Sequence, residues 1–219
     1  LLLDPAQRAL QTLQATADGA TIAFTENLAP PSRLWALPSN GSAPAKLLAT
    51  DLARFDAFAL TADGTRAVYR SAAGLRSTPL AAANRITLMS GDVQGFVLTR
   101  DGTRAVYVGH PTLAEYVVGV VPIDGSAPAL ELARTPNYPA LLPVADGSRL
   151  VFTRGSELCS VPLDGSAPVT VLAPSIAIGG LPFLTLDAAG ENALYIARSG
   201  NPWFLWRAAV DGSSPPAIL

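Results

Sequence analysis

Residues 58–69, FALTADGTRAVY, return at 96–107 as FVLTRDGTRAVY, with ten of twelve letters identical across a separation of 38 residues. Looser copies read LQATADGATIAF up to Phe24, LLPVADGSRLVF up to Phe152 and FLTLDAAGENALYI up to Ile196. A segment that recurs in this way constrains a chain more than any single motif. Each copy is one supersecondary unit that buries its apolar face only against its neighbours.

Two turns punctuate each repeat. The first is Asp-Gly at Asp18-Gly19, Asp63-Gly64, Asp101-Gly102 and Asp146-Gly147, with Ala189-Gly190 as a degenerate fifth copy, at spacings of 45, 38, 45 and 43 residues. Apolar runs flank each one, and Asp-Gly between such runs predicts a hairpin, because glycine supplies a positive φ that aspartate also tolerates. The second turn is a Gly-Ser-(Ala/Ser)-Pro box at Asn40–Pro44, Asp124–Pro128, Asp164–Pro168 and Asp211–Pro215. Strand-like runs precede it at Leu34–Leu37, Tyr116–Val121, Leu158–Val161 and Phe204–Ala208. Short runs follow it at Lys46–Leu48, Leu130–Leu132, Val169–Leu172 and Ala217–Leu219. In the second repeat the box has decayed to Leu80–Asn84, between Leu75–Thr78 and Arg85–Leu88.

Four short antiparallel strands per repeat describe one blade of a β-propeller. The expectation is an all-β chain forming a single propeller domain over 1–219, with blades near 4–48, 49–88, 89–132, 133–172 and 173–219. Leu2-Leu3 and Ile218-Leu219 both align with Leu47-Leu48, so the chain begins and ends in the same strand of its repeat. That permits either a closed five-bladed ring or five blades of a larger one, with self-association if the ring is open.

The first-turn strand pair resembles the TolB-like branch of the WD-type β-propellers, whose repeat reads roughly Trp-Ser-Pro-Asp-Gly, a basic residue and an apolar run. The serine position is Thr16, Thr61, Thr99 and Asp187 here, each able to cap a turn through a side-chain oxygen. A basic residue follows at Arg66, Arg104 and Arg149. Leu60, Leu98 and Leu186 stand where that family often has Trp, and Ala62, Arg100 and Ala145 where it has Pro. The resemblance implies a propeller used as an interaction module in a bacterial periplasmic or cell-surface setting, in a family that often has six blades.

Composition narrows the function classes. At 49% hydrophobic the chain can bury a core, and a net charge of −2 offers no footprint for nucleic acid or anionic lipid. No apolar run approaches the roughly 20 residues of a membrane span, so no membrane insertion is expected. The single cysteine, Cys159, excludes an internal disulfide framework. The amino terminus carries neither an initiator Met nor a signal-like stretch, as expected of a trimmed or mature region.

The recurring Asp columns read as turn residues and not as metal ligands, since each sits in a hairpin and the alternate-acid spacing of a calcium loop is absent. Asn40-Gly41-Ser42 matches a glycosylation acceptor, but its equivalents are Asp-Gly-Ser, so the turn explains it. His110 is the one histidine and has no Gly-x-Ser-x-Gly elbow to accompany it. Cys159 aligns with Trp35, Gly119 and Trp206, which predicts a small hydrophobe in the core. No phosphate loop, zinc spacing or haem motif occurs. The expectation is no catalytic residue, no metal and no cofactor: a chain that is not an enzyme.

The least repetitive segments join successive blades and cap the middle hairpins, and these loops share one end of the repeat. They carry Arg54, Asp92, His110, Tyr138 and Trp203. Where a scaffold repeats and its loops diverge, binding follows, and aromatic and arginine side chains are the usual anchors. The expected function is therefore a binding or scaffold module for a protein, a peptide or a small ligand at the loop face. Two alternatives stand beside it: a purely structural fragment of a larger envelope or secreted protein, and the accessory propeller of a hydrolase lacking its catalytic domain.

Overall fold

The computed structural model describes residues 10–26, 31–53, 58–82, 84–112, 114–176, 184–198 and 202–219. None of them is helical, and they form twenty strands in five sets of four. The first repeat comprises β1 (Leu10–Ala15), β2 (Thr21–Glu26), β3 (Ser32–Pro38) and β4 (Lys46–Leu52). The second comprises β5 (Phe58–Leu60), β6 (Arg66–Ser71), β7 (Gly74–Pro79) and β8 (Ile86–Ser90). The third has β9 (Val93–Leu98), β10 (Arg104–Thr112), β11 (Glu115–Pro122) and β12 (Leu130–Thr135). The fourth has β13 (Leu141–Pro143), β14 (Arg149–Arg154), β15 (Glu157–Pro162) and β16 (Thr170–Ala173). The fifth has β17 (Leu184–Leu186), β18 (Asn192–Arg198), β19 (Trp203–Ala209) and β20 (Ala217–Ile218).

Within each repeat the four strands neighbour one another in chain order, as consecutive hairpins require. The first two repeats are joined into one sheet by a single bridge, Leu52 to Ser71. Asp51 reinforces that junction by receiving Arg76 at 2.9 Å and Arg85 at 3.1 Å. The chain divides into two compact units, one of Leu1–Leu98, Gly102–Ala105 and Val121–Ala129, the other of Thr99–Asp101, Val106–Val120 and Leu130–Leu219.

The first turn shows why its spelling recurs. Gly19 donates its N–H to Thr16 O at 2.8 Å, Thr21 donates its N–H to Thr16 Oγ1 at 3.1 Å, and Ala20 donates to Asp18 Oδ1 at 2.9 Å. Thr61, Asp63, Thr65 and Arg66 repeat the same bonds. The aspartate therefore acts through its carboxylate, while the glycine takes the positive φ, 67° at Gly19 and 66° at Gly64. In the fifth repeat the roles move: Asp187, at the threonine position, accepts from Glu191 N–H at 2.9 Å and from Asn192 Nδ2 at 2.6 Å. In the second turn Asn40, Asp124, Asp164 and Asp211 each accept the N–H of the serine two residues on. Both Asp columns are thus turn residues.

Cores form where successive repeats meet inside each unit. In the first unit, Ala23, Leu34 and Leu48 of the first repeat pack with Phe58, Ala67 and Tyr69 of the second. In the second unit, Val151, Leu158 and Leu172 of the fourth repeat pack with Ala193, Tyr195 and Ala208 of the fifth. Cross-strand register sets this arrangement: Phe24 faces Trp35, Phe152 faces Cys159 and Tyr195 faces Trp206. Cys159 is fully buried, as its alignment predicts, and burial pushes its thiol up to about 11.

Candidate functional site: an aromatic cluster on the third repeat

The long hairpin of β10 and β11 carries His110 near the end of one strand and Tyr116 near the start of the next. Their rings stack with centroids 4.4 Å apart and planes 16° apart. Tyr138, beyond the end of β12, meets Tyr116 edge-on at 5.8 Å. Tyr138 is 55% exposed, whereas His110 and Tyr116 are half-buried. Two residues singled out in the loops, His110 and Tyr138, are thereby joined through a third. Both ring geometries are those that the aromatic quadrupole favours.

A charged network lies on the other face of the same strands, where Val117 pairs with Arg134 while Tyr116 pairs with Thr135. Arg134 donates from Nε and Nη2 to the two oxygens of Glu131, at 2.8 and 3.0 Å, and from Nη1 to Glu115 at 3.3 Å. Those carboxylates, Glu131 foremost, raise the guanidinium further above its already high range. Thr135 Oγ1 donates to Asn137 O at 3.0 Å and fixes the turn that presents Tyr138. The site is an aromatic cluster of one histidine and two tyrosines.

The other expected site residues lie elsewhere. Asp92, in the turn between β8 and β9, accepts both contacts of Gln94 Nε2 at 2.8 Å. Trp203 opens β19 in the fifth repeat and is 46% exposed. Arg54 lies outside the described residues. Tyr116 was missed in the sequence because it opens a strand-like run. The signal that could have found it is the six-residue step from His110 (110 to 116) across a hairpin, which places both at one end of paired strands.

The opposite end of the second unit, where the turns lie, holds a polar cleft of about 580 Å³ lined by Arg149, Glu191, Asn192, Arg207 and Asp211. Two of its charges are already engaged. Arg149 Nε is spent on Ser160 Oγ at 2.9 Å, and Asp211 is held below the usual carboxylate range by Ser213, with a smaller contribution from Arg149. Among the described residues no group of His, Cys, Asp and Glu is arranged to hold a metal ion, and no helix is long and apolar enough to cross a membrane.

No family model and no curated protein matches the chain. Solved structures do resemble it. TolB from Acinetobacter baumannii superposes with a TM-score of 0.53 and 15% identity, over 94% of this chain and 53% of TolB. Oligogalacturonate lyase from Vibrio parahaemolyticus gives 0.66 and 14% identity, over 99% of this chain and 67% of the lyase. The β-propeller domain of the trilobed protease from Pyrococcus furiosus gives 0.62 and 11% identity, over 97% of this chain and 71% of that domain. The chain thus spans about half the length of TolB. At these identities the likeness shows the fold alone. It corrects one expectation, that the chain is not an enzyme: an oligogalacturonate lyase shares this architecture, so all-β repeats without a nucleophile motif do not separate binders from enzymes. The fold is that of TolB and other β-propeller proteins.

Proposed function

We propose that the chain is a propeller-type recognition module that binds a protein or peptide partner through His110, Tyr116 and Tyr138. The observation that carries this reading is Tyr138, more than half exposed yet fixed edge-on against a stacked pair. A rigid aromatic surface loses little conformational freedom on binding, which is why Tyr recurs among interface anchors. The proposed setting is extracytoplasmic, periplasmic or at the cell surface, supported by the resemblance of the repeat to TolB-like propellers.

The test is selection of a phage-displayed random-peptide library on the immobilised 219-residue chain, followed by titration of the selected peptides. Tyr138→Ala is expected to weaken them by about tenfold or more, while Asp92→Ala leaves them unchanged. Peptides that bind both variants equally well would remove the cluster from the reading.

A second reading is the propeller portion of a larger enzyme. It is supported by the likeness to a propeller domain that belongs to a protease. Under that reading the loop end faces a catalytic domain, and the library selection returns no peptide ligand at all.

A further inference from the structure

Asn40 is the only asparagine of the chain that is followed by glycine, and it stands where three other repeats have aspartate. The four turns are otherwise alike. Asn40 Oδ1 accepts the N–H of Ser42 at 3.0 Å, and Asp124, Asp164 and Asp211 each accept the corresponding serine N–H at 2.9 Å. Their glycines all take a positive φ, 69° at Gly41 against 72°, 70° and 76° at Gly125, Gly165 and Gly212. Asn40, Gly41 and Ser42 are exposed. So are residues 124–126 and 164–166 in interior repeats, which makes exposure a property of this turn and not of its place in the chain.

An asparagine carboxamide is open to attack by the backbone nitrogen of the next residue when no side chain there obstructs the approach, and Gly41 has none. The bond from Ser42 N–H folds the carboxamide back over the Gly41 peptide and polarises its carbonyl. The same N–H stabilises the negative charge that develops on Oδ1 during the attack. Gly41 N–H rests on Pro38 O at 3.1 Å, near the long limit for such a bond, and leaves it in order to react. The nucleophile is restrained but not locked. Asn137 is exposed as well, but the bulky Tyr138 follows it.

We propose that Asn40 is a self-modification site, at which the folded chain converts asparagine to aspartate without an enzyme. The Gly41 nitrogen forms a bond to Asn40 Cγ, the Cγ–Nδ2 bond breaks, and the nitrogen's proton leaves with Nδ2 as ammonia. Water then adds to Cγ of the cyclic imide and cleaves the new bond to Gly41, which restores the main chain and leaves a carboxylic acid on residue 40. Nothing is oxidised or reduced: an amide and water become an acid and ammonia. Opening at the main-chain carbonyl instead gives isoaspartate, whose extra backbone methylene displaces the Ser42 N–H from its acceptor. Aspartate is the product that this turn already holds elsewhere. The carboxyls of Asp124 and Asp211 are kept below the usual range, first by the backbone N–H of Ser126 and Ser213 and then by their hydroxyls. Conversion adds one negative charge to a formal net charge of −2.

The experiment is incubation of the folded 219-residue chain in heavy-oxygen water, at mildly alkaline pH and physiological temperature, followed by peptide mapping by mass spectrometry. The peptide bearing residue 40 is expected to become an aspartate peptide carrying heavy oxygen, while the peptide bearing Asn137 stays an amide. The same incubation in denaturant, where Pro38 no longer holds the Gly41 N–H, is expected to run faster. Gly41→Ala is expected to lose most of the conversion in both conditions, and the arm in denaturant reads this whether or not the variant folds. Asn40→Asp, the product made directly, is expected to melt no lower than the wild type. A folded wild type that keeps its amide at residue 40 while the denatured chain converts overturns the proposal. A Gly41→Ala chain that converts as fast as the wild type overturns it too. Isoaspartate as the main product of the folded chain, or a lower melting temperature for Asn40→Asp, overturns the assignment of aspartate as the product that the turn takes.

Discussion

A Cβ added to Gly64 would stand 3.0 Å from the Cβ and Cγ2 of Thr16, the threonine that opens the preceding repeat's first turn. Gly190 bears the same relation to Val144 at 2.8 Å, and Gly212 to Thr170 at 2.7 Å. Turn glycines therefore meet two demands at once. They adopt a positive φ, and they let one repeat settle on the last.

Gly19 and Gly64 separate those demands, because their φ values are 67° and 66° but nothing lies within 4 Å of a Cβ on Gly19. Gly19→Ala is expected to cost about 1–2 kcal/mol, the strain of a left-handed residue alone. Gly64→Ala costs about 1 kcal/mol more, since Thr16 must give way. Urea unfolding of the two variants gives the difference, and equal losses would mean that the turns do not bear on one another.

The turn carboxylates predict an acid limb in stability. Asp18 and Asp63 are held below the usual carboxylate range, first by the hydroxyls of Thr16 and Thr61 and then by backbone N–H groups. Asp146 and Asp211 are held down by the N–H and hydroxyl of the following serine. A lowered folded-state pKa stabilises the fold above the unfolded value, and the contribution fades as pH falls below about 4. Unfolding free energy should decline over that range. Asp63→Asn, which retains the acceptor but does not titrate, should decline less steeply in the same urea titrations.

Cys159 should be unreactive while the chain is folded. Burial disfavours the thiolate and pushes the thiol up to about 11, a shift that Arg154 offsets only in part. Modification by a disulfide reagent at neutral pH is expected to be slow and to accelerate sharply in denaturant. Rapid labelling of the native chain would show that this strand opens readily.

Arg149 donates from Nε to Ser160 Oγ at 2.9 Å, and Arg66 donates to Ser77 at 2.7 Å in the same way, each pair eleven residues apart. Both serines are fully buried. Ser160→Ala removes the acceptor from a guanidinium that is partly out of water, at an expected cost of about 1–2 kcal/mol. Arg149→Met with Ser160→Ala should recover part of that loss in a double-mutant cycle. An additive cycle would show that the pair contributes nothing.

The sequence by itself determined the strands and the turns, because both are written in local chemistry. The apolar runs before the Gly-Ser box placed β3, β11, β15 and β19 within a few residues of their bounds, and the Asp-Gly and Gly-Ser boxes carry their own hydrogen bonds within six residues. The burial of Cys159 was also legible, since alignment with Trp35 and Trp206 assigned it to a packed column. His110 and Tyr138 were legible only as loop residues. Their meeting through Tyr116 depends on how a hairpin and a neighbouring turn converge, and no pairwise spacing in the chain encodes that. The second role of Gly64 was likewise decided by tertiary structure, since it depends on Thr16 of the preceding repeat. Repeats written alike differ in what covers them, and burial is a property of the neighbour as much as of the residue.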